Sequence, residues 1–258
     1  MTAGPAPMFA PNFRLDGRRA LVTGAGRGIG RAVAEAYAAA GASVILCARS
    51  AQEIEQAAEA IRSAGCDAEP LVADVTDVTA FAAAIAALPA LDILVNNAGM
   101  NRPKPLREVT QEDYDAVMSL NLRAVYFATQ AVTRRMIDTG RRGVVINMSS
   151  QMGHVGAADR TLYCASKWAL EGFTKALAVE LGPVGIRVNT ICPTFVETPM
   201  TKPMLTDPGF RAAVLSKIKL GRLASIEDIV GAAVFRASDA AAMMTGAGLL
   251  IDGGWTAD

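Results

Sequence analysis

The stretch that decides the fold is Leu21-Val22-Thr23-Gly24-Ala25-Gly26-Arg27-Gly28-Ile29-Gly30 (LVTGAGRGIG), followed at once by RAVAEAYAAAG up to Gly41. An apolar run ends at Thr23, glycines occupy alternate positions, and an Ala-rich amphipathic stretch begins. That order reads as strand, tight turn, helix. Glycines let the backbone turn sharply and come close to a ligand, and a helix N-terminus attracts an anion such as a pyrophosphate. The spacing is T-G-x-x-x-G-x-G through Thr23, Gly24, Gly28 and Gly30, not the common G-x-G-x-x-G. Gly24, Arg27, Gly28, Ile29 and Gly30 are therefore candidate cofactor contacts. A plain strand–helix connection is the competing reading.

Outward from this turn the chain keeps alternating. RALVTG, SVILCA, EPLVAD, DILVNN, GVVINMSS, RVNTICP and GLLIDGG read as about seven strands, nearly continuous in Val, Ile and Leu. Such runs suit strands covered on both faces. Helical stretches fall at Gly30–Ala40, Gln52–Ala64, Ala80–Leu88, Gln111–Asp138, Leu162–Leu181 and Ile226–Ala237. Thr110 with Asp113, and Ser225 with Asp228, have capping-box spacing. The expected fold is α/β: one domain with a doubly wound parallel sheet, Rossmann-like, and helices on both faces. Residues 14–258 would form it, and the Pro-rich segment 1–13 reads as a flexible arm rather than a signal peptide.

Bulk properties remove several functions. The 258 residues carry 25 basic and 25 acidic side chains, so there is no electrostatic footprint for nucleic acid or an anionic membrane. No apolar run is long enough to span a bilayer. The four cysteines (Cys47, Cys66, Cys164, Cys192) form no C-x-x-C pair, and the one histidine, His154, allows no His cluster. Neither a disulfide framework nor a zinc site is expected, and a reducing, cytoplasmic setting fits.

In a dinucleotide fold the end of the second strand reads the adenosine ribose. An Asp there would hold the ribose hydroxyls and repel a 2′-phosphate. This chain has Ala48 and then Arg49, with Arg27 in the glycine turn as a second cation. Two guanidiniums without a carboxylate favour NADP over NAD, which stays open as the alternative. Tyr163 and Lys167 in YCASKWALEG lie four apart on a helical stretch, so they share a face. A fixed ammonium beside a phenol favours the ionised phenol, which suits proton transfer. A half-buried Tyr beside a solvated Lys is the bland reading of that pair alone.

Asn96-Asn97-Ala98-Gly99 closes the fourth strand, Asn121 lies in SLNLRAVYF, Ser150 ends INMSS, and Tyr163 follows thirteen residues later. With TGAGRGIG, this set resembles the short-chain dehydrogenase/reductase family from about Arg14 to Trp255. The resemblance implies a catalytic tetrad of Asn121, Ser150, Tyr163 and Lys167, with no metal in catalysis. Tyr163 would be the general acid or base. Lys167 would stabilise its phenolate and meet the nicotinamide ribose, Ser150 would bind the substrate oxygen, and Asn121 would hold a water. The resemblance also sets Asp74 and Val75 at the adenine, and Asn97, Ala98 and Gly99 along the ribose and diphosphate. Pro193, Val196 and Thr198 would lie at the nicotinamide. For Asp74, capping the next helix is the other reading. Many relatives have Pro-Gly where this chain has Pro193-Thr194.

Residues 194–222 correspond to the family's substrate lid, where prolines at 199, 203 and 208 break the segment into short pieces. Met200, Met204 and Leu205 are candidate covers for substrate, with core packing the simpler role. Gln151, Met152, His154, Asp159, Arg160 and Glu197 are open as substrate contacts. The implied activity is NAD(P)-dependent interconversion of a secondary alcohol and a ketone, with a small polyol or sugar derivative as substrate. One alternative is a 3-oxoacyl-thioester reductase served by acyl carrier protein, with Arg211, Lys217, Lys219 and Arg222 as a basic mouth. Another is a non-catalytic dinucleotide sensor. The family implies a homotetramer, with Trp255 a candidate interface residue.

Overall fold

The structure, a computed structural model, describes residues 10–257. Most of the expected arm (1–13) lies outside the described residues. Residues 10–13 are exposed and form neither helix nor strand, and the ring of Phe13 lies 6.4 Å from that of Phe235.

Seven parallel strands form one sheet in the order β3-β2-β1-β4-β5-β6-β7. They are β1 Arg19–Thr23, β2 Ser43–Ala48, β3 Ala68–Val72, β4 Ile93–Asn96, β5 Val144–Met148, β6 Arg187–Pro193 and β7 Gly248–Ile251. The near-continuous apolar runs now have their cause. Successive side chains point to opposite faces, and both faces are covered. Ala20 and Val22 of β1 enter one core while Leu21 enters the other; Val44 and Leu46 of β2 oppose Ile45 and Cys47 in the same way. Burying each large aliphatic side chain is worth about 1.5–3 kcal/mol before the entropy of ordering is set against it.

The first core is closed by α1 (Gly28–Ala39), α2 (Ala51–Ser63) and α9 (Glu227–Ala237). The second is closed by α3 (Val78–Ala87), α5 (Ala124–Asp138) and the end of α6 (Thr161–Leu181). The strand order reverses between β1 and β4, which pair in parallel from Ala20↔Ile93 to Val22↔Val95. The carboxyl ends of strands at such a switch point leave a crevice for a ligand. Among the described residues no helix is long and apolar enough to cross a membrane.

Two expectations need correction. The helix read as Gln111–Asp138 is broken: α4 (Gln111–Met118) passes through a π turn at Ser119–Arg123 before α5. Periodicity does not register such a turn because it inserts one extra residue without interrupting the apolar stripe. The Thr110–Asp113 capping box is present in full. Ser225–Asp228 is not a full box: the cap of α9 is Ile226, and Asp228 accepts hydrogen bonds from the Ser225 backbone N–H (2.8 Å) and hydroxyl (3.3 Å) without receiving one in return. Residues 194–222, expected to fall into short pieces, contain α7 (Lys202–Leu205) and α8 (Pro208–Lys217). Proline is tolerated in a first helical turn, where its missing N–H would have no partner. Pro203 and Pro208 hold such positions, so they open helices rather than end them.

Candidate active site

A cavity of about 1420 Å³ opens where the carboxyl ends of the central strands meet the glycine turn, the β5–α6 loop and the segment after β6. Its first half is built from the turn. Gly24 and Gly28 have φ of +64° and +58°, a region costly for other residues. Gly30 is required for space: a Cβ there would lie 2.3 Å from Asn97 Nδ2 and 2.4 Å from the Gly24 carbonyl oxygen. The Asn97 side chain donates to the carbonyls of Thr23 (3.0 Å) and Gly24 (3.2 Å), and Thr23 Oγ1 accepts from the N–H groups of Asn97 and Ala98. The side chain of Asn97 is thus occupied in holding the turn. No side chain caps α1, so the N–H groups of its first turn are open to an anion. Gly24, Arg27, Gly28 and Ile29 line the cavity; Gly30 does not. A turn with no Cβ in the way and an uncapped helix behind it fits a dinucleotide diphosphate.

At the adenosine end Ala48, Arg49, Asp74 and Val75 line the cavity, and so do Ser50 and Glu53, which sequence reading did not single out. Both cations have carboxylates near them. Arg27 Nη1 is 3.3 Å from Glu53 Oε1, and Arg49 Nη1 is 3.9 Å from Asp74 Oδ2, all four side chains being substantially exposed. Asp74 does not cap α3; Asp77 does, accepting from the Ala80 N–H at 3.0 Å. Asp74 Oδ1 instead accepts from the N–H (2.9 Å) and hydroxyl (2.7 Å) of Thr76. Burial pushes the Asp74 carboxyl up, but those two hydrogen bonds and the Arg49 charge outweigh it, so it sits below its ordinary value.

The second half holds the reactive groups. Ser150, Tyr163 and Lys167 line it, with Ala98 and Gly99 beside them. Ser150 Oγ donates to Gln151 Oε1 at 2.9 Å and accepts from the Met152 N–H at 3.1 Å. Its influence on the nearby Tyr163 phenol is to favour the ionised form. Lys167 donates to the Met148 carbonyl oxygen at 2.8 Å, and its Nζ stands 5.4 Å from the centre of the Tyr163 ring. Asn121, turned inward by the π turn, is buried and does not line the cavity. Its Oδ1 accepts from the Met100 N–H, and its Nδ2 donates to the Met100 carbonyl and to Ser166 Oγ. Ser166 in turn donates to the Tyr163 carbonyl at 2.8 Å, tying the π turn to the turn of α6 that bears Tyr163.

The electrostatics correct one expectation. Burial pushes the Tyr163 phenol up to about 12, against the influence of Ser150, which lowers it. Burial also pulls Lys167 down to about 8. The ammonium faces a main-chain carbonyl rather than the phenol oxygen, so the ion pair expected from the four-residue spacing does not by itself acidify Tyr163. At neutral pH the proton stays on Tyr163.

A buried hydrogen-bond chain, absent from the sequence reading, fixes the frame beneath these groups. Asn96 Nδ2 donates to Thr129 Oγ1 and Asn147 Oδ1, and Asn147 Nδ2 donates to Thr174 Oγ1, each at 2.9 Å. It links β4, β5 and α6.

At the end of β6 and just beyond it Pro193, Val196 and Thr198 line the cavity, with Thr194 and Met200. Thr194 Oγ1 is buried without a hydrogen-bond partner. Leu205 is core, packed with Met152, Phe195, Val214, Ile218 and Leu223, while Met200 is more than half exposed. The other open substrate contacts fall elsewhere. Glu197 pairs with Arg211 at 3.1 Å beside a separate cleft. Arg160 lies over the Phe210 ring at 5.9 Å and reaches Met204 Sδ at 3.5 Å. His154 turns to Cys192, and Gln151 acts on Ser150. None of Gln151, Met152, His154, Asp159, Arg160 and Glu197 lines the cavity.

Comparison with known proteins agrees with this geometry. Residues 18–209 match the short chain dehydrogenase family. The chain is 42% identical over 246 residues to an L-xylulose reductase of Bos taurus, covering 95% of this chain and 99% of that one. It is 44% identical over 254 residues to a D-threitol dehydrogenase of Mycolicibacterium smegmatis, covering 95% of each. A gluconate 5-dehydrogenase from Burkholderia cenocepacia, crystallised with NADP and tartrate, superposes with a TM-score of 0.93 at 36% identity, covering 96% of this chain and 98% of that one. Family match, identity along nearly the whole length and shared fold lead to one conclusion: the chain belongs to the short-chain dehydrogenase/reductase family of NAD(P)-dependent oxidoreductases.

Proposed function

We propose that the protein uses NADP(H) to interconvert a secondary alcohol and a ketone on a small hydroxylated substrate, a polyol or sugar derivative. The observation that carries this reading is that Ser150, Tyr163 and Lys167 line one cavity together with the glycine turn, with Lys167 Nζ 5.4 Å from the centre of the Tyr163 ring. Bound coenzyme supplies the hydride at its nicotinamide ring. Tyr163, protonated at neutral pH, gives its proton to the carbonyl oxygen during reduction and takes it back during oxidation. Ser150 donates a hydrogen bond to that oxygen as charge develops on it. To do so its O–H must turn from Gln151 toward substrate. Lys167, held on the Met148 carbonyl, would meet the nicotinamide ribose with its ammonium. Asn121 keeps the π turn and α6 in register, and a water held there would connect Lys167 to solvent.

The Lys167 charge sets a pH limb. Its ammonium is present below about 8 and lost above it, whereas Tyr163 keeps its proton up to about 12. For ketone reduction, kcat/KM, which reports free-enzyme ionisations, is expected to fall as pH rises through about 8. A profile flat across that range would remove Lys167 from the reaction.

NADP is favoured by Arg27 and Arg49 beside Ala48, where no carboxylate side chain occupies the end of β2. Arg49→Ala is expected to raise KM for NADPH roughly tenfold, the low end for a charge-assisted hydrogen bond because the group is exposed, with little change for NADH. Equal effects on both coenzymes would reject the 2′-phosphate contact.

The substrate class draws on relatives whose names carry xylulose, threitol and gluconate. The acyl-carrier reading loses support. Arg211 is paired with Glu197, Arg222 is bidentate to Asp228 at 2.6 and 2.8 Å, and Lys217 stands 5.3 Å from the centre of the Trp255 ring. A sensor reading has nothing to favour it, since all four tetrad side chains are present. Assembly as a homotetramer is part of the proposal. Tyr126, Phe127 and Trp168 are exposed on α5 and α6, where Tyr126 stacks on Phe173 at 4.9 Å. Trp255 packs within the chain on Phe195 at 5.8 Å. NADPH oxidation assayed with small ketoses beside an acetoacetyl thioester tests the reading; turnover of the thioester alone would overturn the substrate class.

A further inference from the structure

Behind the catalytic loop the fold gathers three side chains that are far apart in sequence. His154 follows the short helical turn Gln151–Gly153, Glu171 lies in the middle of α6, and Cys192 is the penultimate residue of β6. Their donor atoms all lie within 4.8 Å of one another. His154 Nε2 is 3.3 Å from Cys192 Sγ and 3.7 Å from Glu171 Oε1, and Cys192 Sγ is 3.4 Å from Glu171 Oε1. None of the three lines the coenzyme cavity, and the proposed reaction uses none of them.

Those separations match a metal's coordination edges. With Zn–S near 2.3 Å and Zn–N and Zn–O near 2.0–2.2 Å, tetrahedral ligands stand about 3.6 Å apart for N···S and O···S and about 3.3 Å for N···O. An imidazole, a thiolate and a carboxylate suit a divalent ion of borderline softness rather than magnesium or calcium. The second shell is also present: Thr190 Oγ1 donates to the other oxygen, Glu171 Oε2, at 2.9 Å, which fixes the carboxylate. A further observation points to a ligand. Ser149 Oγ borders the same cluster, since a Cβ on Gly153 would touch both it (3.0 Å) and Glu171 Cγ (3.2 Å). Ser149 is 4% exposed, and its hydroxyl has no hydrogen-bond partner. Entry is open on one side, because the His154 side chain is about one-third exposed.

We propose that His154 Nε2, Glu171 Oε1 and Cys192 Sγ form a binding site for one zinc-class divalent ion, with Ser149 Oγ as fourth donor. On binding, the Cys192 S–H bond breaks, its proton passes to solvent, and an Sγ–metal bond forms without any change of oxidation state. The ion would pin the loop carrying Ser150 to the end of β6, next to Pro193 of the coenzyme cavity.

Titrating the full-length, metal-free protein with Co²⁺ tests this by a readout independent of turnover. The expected result is saturation at one equivalent with a thiolate-to-cobalt charge-transfer band, displaced by Zn²⁺. Cys192→Ser should abolish the band. His154→Gln, at a partly exposed position where misfolding is not expected, should weaken binding by at least the roughly 10–100-fold that loss of an outer partner costs. Cys66→Ser and Tyr163→Phe should change nothing. No saturable band, or a band kept in Cys192→Ser or undiminished in His154→Gln, would overturn the site and leave the three side chains as a hydrogen-bonded cluster. Because Tyr163→Phe removes the proposed catalysis and not this site, the two readings fail separately.

Discussion

Replacing Tyr163 by phenylalanine is expected to lower kcat by roughly 10²–10⁴-fold, the usual worth of a positioned general acid, while NADPH still binds. The substitution deletes one oxygen and leaves the ring against its apolar neighbours. Lys167 keeps its bond to the Met148 carbonyl, and the glycine turn is untouched. A turnover defect with intact coenzyme affinity is therefore the signature. The ammonium does not acidify the phenol, so the variant's value lies in removing a proton donor rather than a standing phenolate. Coenzyme affinity by fluorescence titration and single-turnover rates with a reducible ketose measure the two halves. A Tyr163→Phe enzyme within tenfold of the parent in kcat would take Tyr163 out of the chemistry.

The second large effect is expected at Ser150. Loss of one hydrogen-bond donor at a developing oxyanion costs about 10²–10³ in kcat, and Ser150→Ala should show a loss of that size. This hydroxyl also holds its own loop together, accepting from the Met152 N–H and donating to the buried Gln151 oxygen. Its removal leaves both unpaired, at about 1–3 kcal/mol for a buried polar group. Thermal stability should therefore fall as well. Ser150→Thr retains the donor and should recover part of both losses. Ser149→Ala is the comparison: its hydroxyl has no hydrogen-bond partner and takes no part in the proposed bond to the substrate oxygen, so its loss in kcat should be much smaller than that of Ser150→Ala. Equal activity losses for Ser149→Ala and Ser150→Ala would contradict the assignment.

The sheet was legible because burial on both faces leaves a plain trace: Ile45 and Leu46 point opposite ways, yet both must be apolar. Glycine spacing was legible for the same kind of reason, since at Gly30 a Cβ has nowhere to go. What escaped was geometry that composition does not encode. Broadening one helical turn at Ser119–Arg123 leaves the apolar stripe readable as a single helix, yet it turns Asn121 inward. Prolines marked residues 194–222 as short pieces, but not that Pro203 and Pro208 would each sit in the first turn of a helix.

Side-chain partners were the least legible part of the site. The four-residue spacing of Tyr163 and Lys167 placed both on one face, but not which acceptor the ammonium would choose; the end of β5 supplied Met148. The small residues between them were a usable signal, since Ser166 is the link to Asn121. Gln151 was marked only as an open substrate contact, and Glu53 carried no signal. Their importance comes from lying beside Ser150 and Arg27, contacts made only once loop and helix are folded. The cysteine and histidine count argued against a metal cluster because it sees spacing along the chain, whereas His154, Glu171 and Cys192 meet across three separate elements.

Ser150 and Tyr163 would hold the carbonyl to which bound coenzyme would supply hydride. The sharpest measurement uses NADPH deuterated on the transferring face of the nicotinamide with a small ketose, followed by mass spectrometry of the alcohol. The account predicts one deuterium on the new carbinol carbon with the parent enzyme and almost none formed by Tyr163→Phe in the same time. Product without deuterium from either face of the coenzyme, or equal labelling by the variant, would contradict it.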